Sequence, residues 1–190
     1  MKHLAKIAMA VMAMALVGGS ALAATDADTI ALFKKAPESR EYFSKAYGYA
    51  VFPTVGKGGI GIGAAHGTGS VYQGGKYMGE VTLNQLSVGA QLGGEAFSEI
   101  IFFENKKAYD EFISGNFEFD AQASVTAITA NASATAGTQG AKAGAGTNES
   151  HTQVDAAGWH KGMVVFTITK GGLMYEAVIA GQKFKYKAKS

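Results

Sequence analysis

The residues whose types and spacing come closest to a known chemistry lie in GKGGIGIGAAHGTGS, Gly56 to Ser70, where seven of fifteen positions are glycine. Gly56, Gly58 and Gly61 fit G-x-G-x-x-G, the spacing that cradles a dinucleotide pyrophosphate where a strand hands over to a helix. The handover is missing here. Gly63, Gly67 and Gly69 continue the glycines on odd positions, and each glycine in a helix costs about 1 kcal/mol relative to alanine. Glu80 lies near the ribose-binding distance but beyond a hairpin turn, and no G-K-[ST] sequence is present. The alternation instead predicts a strand with glycines on one face and Ile60, Ile62, Ala64 and His66 on the other. A bare face lets another backbone or an aromatic ring approach closely. Tyr72, Phe102, Phe103 and Trp159 are candidates to cover it.

Other reactive side chains do not assemble into a motif. His3, His66, His151 and His160 are scattered, with no partner three or four residues away and no cysteine in the chain, so the spacing gives no metal site. Ser87 and Ser98 lack a G-x-S-x-G elbow. Glu95 and Glu99 have helical spacing in a segment that reads as strand or turn, and Asp110 with Glu111 is a solvated helix face. The sequence therefore predicts no catalytic residue, no cofactor and a non-enzymatic protein. The C-terminal KFKYKAK differs in kind. Lys183, Lys185, Lys187 and Lys189 alternate with Phe184 and Tyr186, which protects an edge strand against pairing or offers a cationic stripe to anionic headgroups.

The elements that must position these residues follow from periodicity and punctuation. Lys2 and Lys6 precede an apolar run from Ile7 to Val17, and Ala21-Leu22-Ala23 supplies a small-x-small cleavage pattern, so residues 1–23 read as a secretory signal peptide. Without them, the chain's 17 basic and 15 acidic residues become fifteen of each, and nothing in the overall balance argues for nucleic acid, which is not an expected partner. Residues 24–190 then form one domain, exported to the periplasm or cell envelope or secreted. Asp26, Asp28 and Thr29 introduce a helix over IALFKKA, Pro37 interrupts it, and ESREYFSKA restarts it. Ile30, Phe33, Tyr42, Phe43 and Ala46 are its buried positions, with Lys34, Lys35, Arg40 and Lys45 outside. Separate strands follow: YAVF ending at Pro53, GIGIGAA, SVYQ, a turn at Gly74-Gly75, the run from Met78 to Gly94, and EIIFF. Asn105 caps a helix over KKAYDEFIS that Gly115 stops. Residues 137–150 lack the apolar content to order themselves and read as a mobile loop. MVVFTIT, LMYEAVIA and KFKYKAK make a closing meander. The expected fold is α+β: an antiparallel β-rich barrel or sandwich with Gly-rich strands, N-terminal helices and one helix after a central strand. Helices interrupt the strand series and long alternating strands are absent, so a membrane-spanning barrel is not expected.

KAYGYAVFPTVGKGGIGIG, then FSEIIFFENKKAYDEFISG and VVFTITKGGLMYEAVIAG, resemble the SYLF domain family over about residues 30–187. The segment after Ala127 is longer and more polar than the family's pattern. The resemblance implies a non-enzymatic module that binds anionic phospholipids, phosphoinositides among them. Actin association belongs to fungal members and is not carried over. For an exported protein the implied ligands are phosphatidic acid, phosphatidylglycerol or cardiolipin. Candidate docking residues are Phe33, inserting with its helix face, Lys34, Lys35, Lys45, Lys57, Lys183, Lys185 and Lys187. The alternative expectation is a structural or protein-interaction module of the envelope with no lipid ligand.

Overall fold

The computed structural model of the protein describes residues 24–120, 125–128, 158–172 and 181–190. The expected signal peptide and the 137–150 loop lie outside them. Helices α1 (Asp26–Lys35), α2 (Pro37–Arg40) and α3 (Tyr42–Lys45) come first. Strands β1 (Gly48–Gln73) and β2 (Lys76–Phe103) follow, then α4 (Lys106–Ile113), β3 (Phe117–Glu118), β4 (Val125–Ile128), β5 (Met163–Gly172) and β6 (Lys183–Ala188). The result is an α+β fold dominated by one sheet, in the order β3-β6-β2-β5-β4 with β1 paired to β2.

The N-cap of α1 is Thr25, one residue before the expected aspartates. Its hydroxyl accepts from the Asp28 amide at 3.2 Å, and the Asp28 carboxylate accepts from the Thr25 amide at 3.3 Å. That reciprocal pair satisfies two of the amide donors a helix start leaves over. Pro37 forces Ala36 into extended backbone and then opens α2 as its first residue. The helix after the Asn105 cap forms as expected: the Asn105 side chain accepts from the Ala108 amide at 3.0 Å, and Gly115 takes φ +96° just past the end.

The strands depart most from expectation. YAVF, GIGIGAA and SVYQ join into a single 26-residue β1, and the run from Met78 joins EIIFF in a 28-residue β2. Pro53 does not end β1 because it falls at a register shift between Phe52 and Val55, where a missing amide donor interrupts no ladder. Long strands are therefore present. β1 and β2 form one hairpin around Gly74-Gly75, both with positive φ. A second departure is β4, which pairs parallel to β5.

The hairpin does not run straight. A methyl group on Gly59 would sit 2.0 Å from the Ile62 carbonyl oxygen, so the chain turns a corner there that only glycine fits. Beyond it β1 returns over itself. A methyl on Gly67 would meet Val55 Cγ2 at 2.9 Å, one on Gly69 the Val51 carbonyl oxygen at 2.4 Å, and one on Gly48 the Tyr72 carbonyl oxygen at 2.6 Å. The bare glycine face is thus covered by the first half of β1 and the Phe52 ring, not by Tyr72, Phe102, Phe103 or Trp159. Those four rings lie elsewhere, Phe103 in the inner core and the other three in the helix-covered layer.

Folding the two-stranded ribbon in half gives it an inside and two outer faces. The inside holds Ala50, Phe52, Val55, Val71, Val81, Leu83, Phe97, Ile101 and Phe103. One end of it is closed by α4, whose Phe112 ring lies 4.8 Å from Phe103 and 4.9 Å from Phe184. The outer face of the first half, with Val51, Ile100, Phe102, Val164 and Phe166, is covered by Phe33 and Tyr42 from α1 and α3.

Candidate functional site

The outer face of the second half is the open surface. Its strands alternate cleanly: Ala65, Gly67, Gly69 and Val71 of β1 and Val81, Leu83 and Gln85 of β2 are buried. Ile62, Ala64, His66 and Thr68 of β1, Glu80, Asn84 and Leu86 of β2, and Lys183, Lys185 and Lys187 of β6 are exposed. Register arranges these into rows across three strands. Ser70, Glu80 and Lys187 form one row, Thr68, Thr82 and Lys185 the next, and His66, Asn84 and Lys183 the third. His66 Nδ1 and Asn84 Oδ1 stand 2.9 Å apart within that third row. Toward the corner the rows lose their charge: Ala64 pairs with Leu86, and Ile62 lies one row further. Ile62 is 65% exposed and Leu86 79%. Exposed apolar residues scattered singly are ordinary, but two of the four large exposed hydrophobics among the described residues are diagonal neighbours here.

The lysine stripe is bordered by acid. Glu118 of β3 pairs with Lys183 at 3.5 Å, and Glu80 faces Lys187 across the β2–β6 register. Lys185 lies between them opposite Thr82.

The other sequence candidates go to different places. Phe33 has no exposed surface and packs beneath α1 against the outer sheet layer, so a bilayer cannot reach it without undocking the helix. Lys34 stands 5.3 Å over the Phe43 ring, and Lys45 forms a 2.5 Å ion pair with Glu41. Lys34, Lys35 and Lys45 are exposed, but on the helix-covered side, apart from the C-terminal stripe. Lys57 is only 6% exposed and sits inside the ribbon opposite Glu95. Burial raises the Glu95 carboxyl and the Lys57 charge opposes that rise, so this lysine is engaged in an interior charge arrangement rather than presented to headgroups.

The inside of the ribbon also contains Glu99, with no exposed surface. Gln182 Nε2 donates to Glu99 Oε2 at 3.0 Å, while Glu99 Oε1 has no hydrogen-bond partner among the described residues. Burial pushes this carboxyl up to about 7 and the Gln182 bond pulls against it. Among the reactive groups considered from sequence, Ser98 Oγ donates to the Pro53 carbonyl at 2.8 Å and has no exposed surface. His160 Nε2 is 3.8 Å from Asp120. Among the described residues no three His, Cys, Asp or Glu side chains gather as metal ligands. No described helix is long and apolar enough to cross a membrane.

Ile62 and Leu86 are the residues the sequence reading did not assign. Alternation had placed Ile62 opposite the glycines, yet nothing local says which outer half the helices cover. That depends on the corner at Gly59, which folds the ribbon.

No family model matches the chain. It is 28% identical over 165 residues to Beta cell expansion factor A of Aeromonas veronii, a span covering 84% of this chain and 54% of that protein. The chain thus spans about half the length of this curated relative.

Proposed function

We propose that the protein is a non-enzymatic module that docks reversibly on anionic phospholipid surfaces through the bare outer face of β1, β2 and β6. The observation that carries this reading is the row of exposed Lys183, Lys185 and Lys187 on a sheet face that no described helix covers. The resemblance of the sequence blocks to the SYLF family supports the same ligand class. The relative's name describes an effect on beta cells and adds no ligand chemistry.

Magnitudes set the expected strength. A lysine near an anionic surface contributes about 1 kcal/mol, and the attraction fades within a Debye length. Glu80 and Glu118 border the three lysines, so the stripe alone supports weak, salt-sensitive docking. Lys34, Lys35 and Lys45 face a different side and are left out of the proposed contact.

Co-sedimentation with vesicles tests this. The protein is expected to pellet with phosphatidylglycerol-containing vesicles at low salt and to stay in solution with pure phosphatidylcholine. Replacing Lys183, Lys185 and Lys187 with Glu should abolish the difference while leaving the circular dichroism spectrum intact, since all three side chains point outward. Undiminished pelleting of that triple variant would place the contact elsewhere.

A further inference from the structure

We infer that the corner of the folded hairpin is a membrane-inserting wedge, in which Ile62 and Leu86 enter the acyl region of an anionic bilayer while the adjoining lysines hold its headgroups. The inference rests on the docking proposed above and deepens it. Three observations carry it together. Ile62 and Leu86 stand exposed as diagonal neighbours on one face, in adjacent rows, with the small Ala64 directly opposite Leu86. They lie at the corner where the ribbon folds back, just past the close turn of Gly59 onto Ile62, so their exposed side chains mark one extremity of the folded hairpin. The same strand rows then run into His66, Asn84 and Lys183, and on to Lys185 and Lys187. Apolar residues at the corner, followed along the strands by cations, match the order of chemistry along a bilayer normal: acyl chain first, phosphate second. A soluble protein partner would not require that order. The lysines, moreover, give the apolar end a reason to face lipid of negative charge in particular.

The wedge also resolves a mismatch in the electrostatics. Three lysines bordered by two acids attract a negative surface weakly, and exposed charges lose that attraction in salt. Two large aliphatic side chains withdrawn from water are insensitive to such screening. The wedge therefore predicts binding that salt weakens without eliminating.

The chain contains no cysteine, which permits an unambiguous probe. L86C labelled with an environment-sensitive nitrobenzoxadiazole dye is compared with K107C, exposed on α4 away from the corner. With vesicles of equal phosphatidylglycerol and phosphatidylcholine, the dye at 86 should shift to shorter wavelength and brighten, and the dye at 107 should not. Ile62→Ser with Leu86→Ser should weaken vesicle binding by about tenfold or more and remove its salt-resistant part, with the unfolding midpoint unchanged because both side chains are solvent-exposed. Vesicle binding with an unmoved dye at 86 overturns the wedge and leaves headgroup docking standing. Failure to bind vesicles of either composition removes the docking reading itself. A dye at 86 that is already shifted without lipid, increasingly so at higher protein concentration, means a second copy covers the corner and also overturns the wedge.

Discussion

Glu99 is the residue with the most to lose from its position. Its carboxyl, held near 7 by burial against 4.5 in an unfolded chain, keeps a proton in the fold that the unfolded chain releases. Below pH 4.5 both states are protonated and the group is neutral toward stability. As pH rises from 4.5 through 7 the unfolded state binds fewer protons than the folded one, so stability falls, and above 7 the loss is complete. The Gln182 amide donates to Glu99 Oε2 and can donate in the same place to the neutral amide oxygen of a glutamine. Glu99→Gln should therefore raise stability by about 1–3 kcal/mol at pH 8 and change it little at pH 4.5. Urea denaturation of both proteins at the two pH values reads this directly. A stability difference that stays constant across the range means Glu99 does not titrate in that window. The same residue shows what sequence can and cannot disclose: Glu95 and Glu99 were visible as a pair of acids, but their depth was not. Alternation along β2 puts them with Phe97 and Ile101, and only the fold of the ribbon makes that side an interior.

At the scale of the element, the corner and the returning half of β1 explain the glycines, and they can be tested separately. A methyl at Gly69 would stand 2.4 Å from the Val51 carbonyl oxygen and 2.7 Å from Phe52 Cδ1, whereas one at Gly56 meets nothing within 4 Å. Gly69→Ala should destabilise by about 1–3 kcal/mol, the range for overpacking a close contact. Gly56→Ala should stay within about 0.5 kcal/mol of the parent, as open-site changes do. Equal effects in chemical denaturation would mean that β1 does not fold back on itself. The helix of α4 and the Gly74-Gly75 turn were legible because a cap, an apolar face and a tight-turn dipeptide are local signals. The continuity of β1 through Pro53 was not, since proline marks a strand end unless a bulge absorbs it. The parallel pairing of β4 with β5 escaped for a related reason: the order of strands in a sheet is decided by contacts between segments far apart in sequence. Likewise Phe33 reads as an apolar helix residue whether the helix meets a membrane or a sheet, and it meets Tyr42, Val51, Phe102 and Phe166 in the layer beneath.

Across the whole molecule, the folded ribbon divides its outer surface into one half clad by α1, α2 and α3 and one half that no described helix covers. The two halves make opposite predictions about what moves on a membrane. Trp159, the single tryptophan, belongs to the clad side, with its ring 5.2 Å from Tyr42, which itself packs on Phe102 and Phe166. Docking through the bare half requires no change there. The emission maximum of Trp159 and its quenching by acrylamide should be the same in solution and on phosphatidylglycerol vesicles, and should change only when urea separates the helices from the sheet. The competing arrangement inserts Phe33, and that needs α1 to leave the sheet, exposing Val51, Ile100 and Phe166 and disturbing the Tyr42–Trp159 contact. Each large apolar side chain uncovered costs about 1.5–3 kcal/mol, and several would be uncovered together, whereas Ile62 and Leu86 are exposed already. The half that docks without unfolding anything is the favoured one. A Trp159 shift that tracks vesicle binding would assign the contact to the helices and remove it from the lysine face.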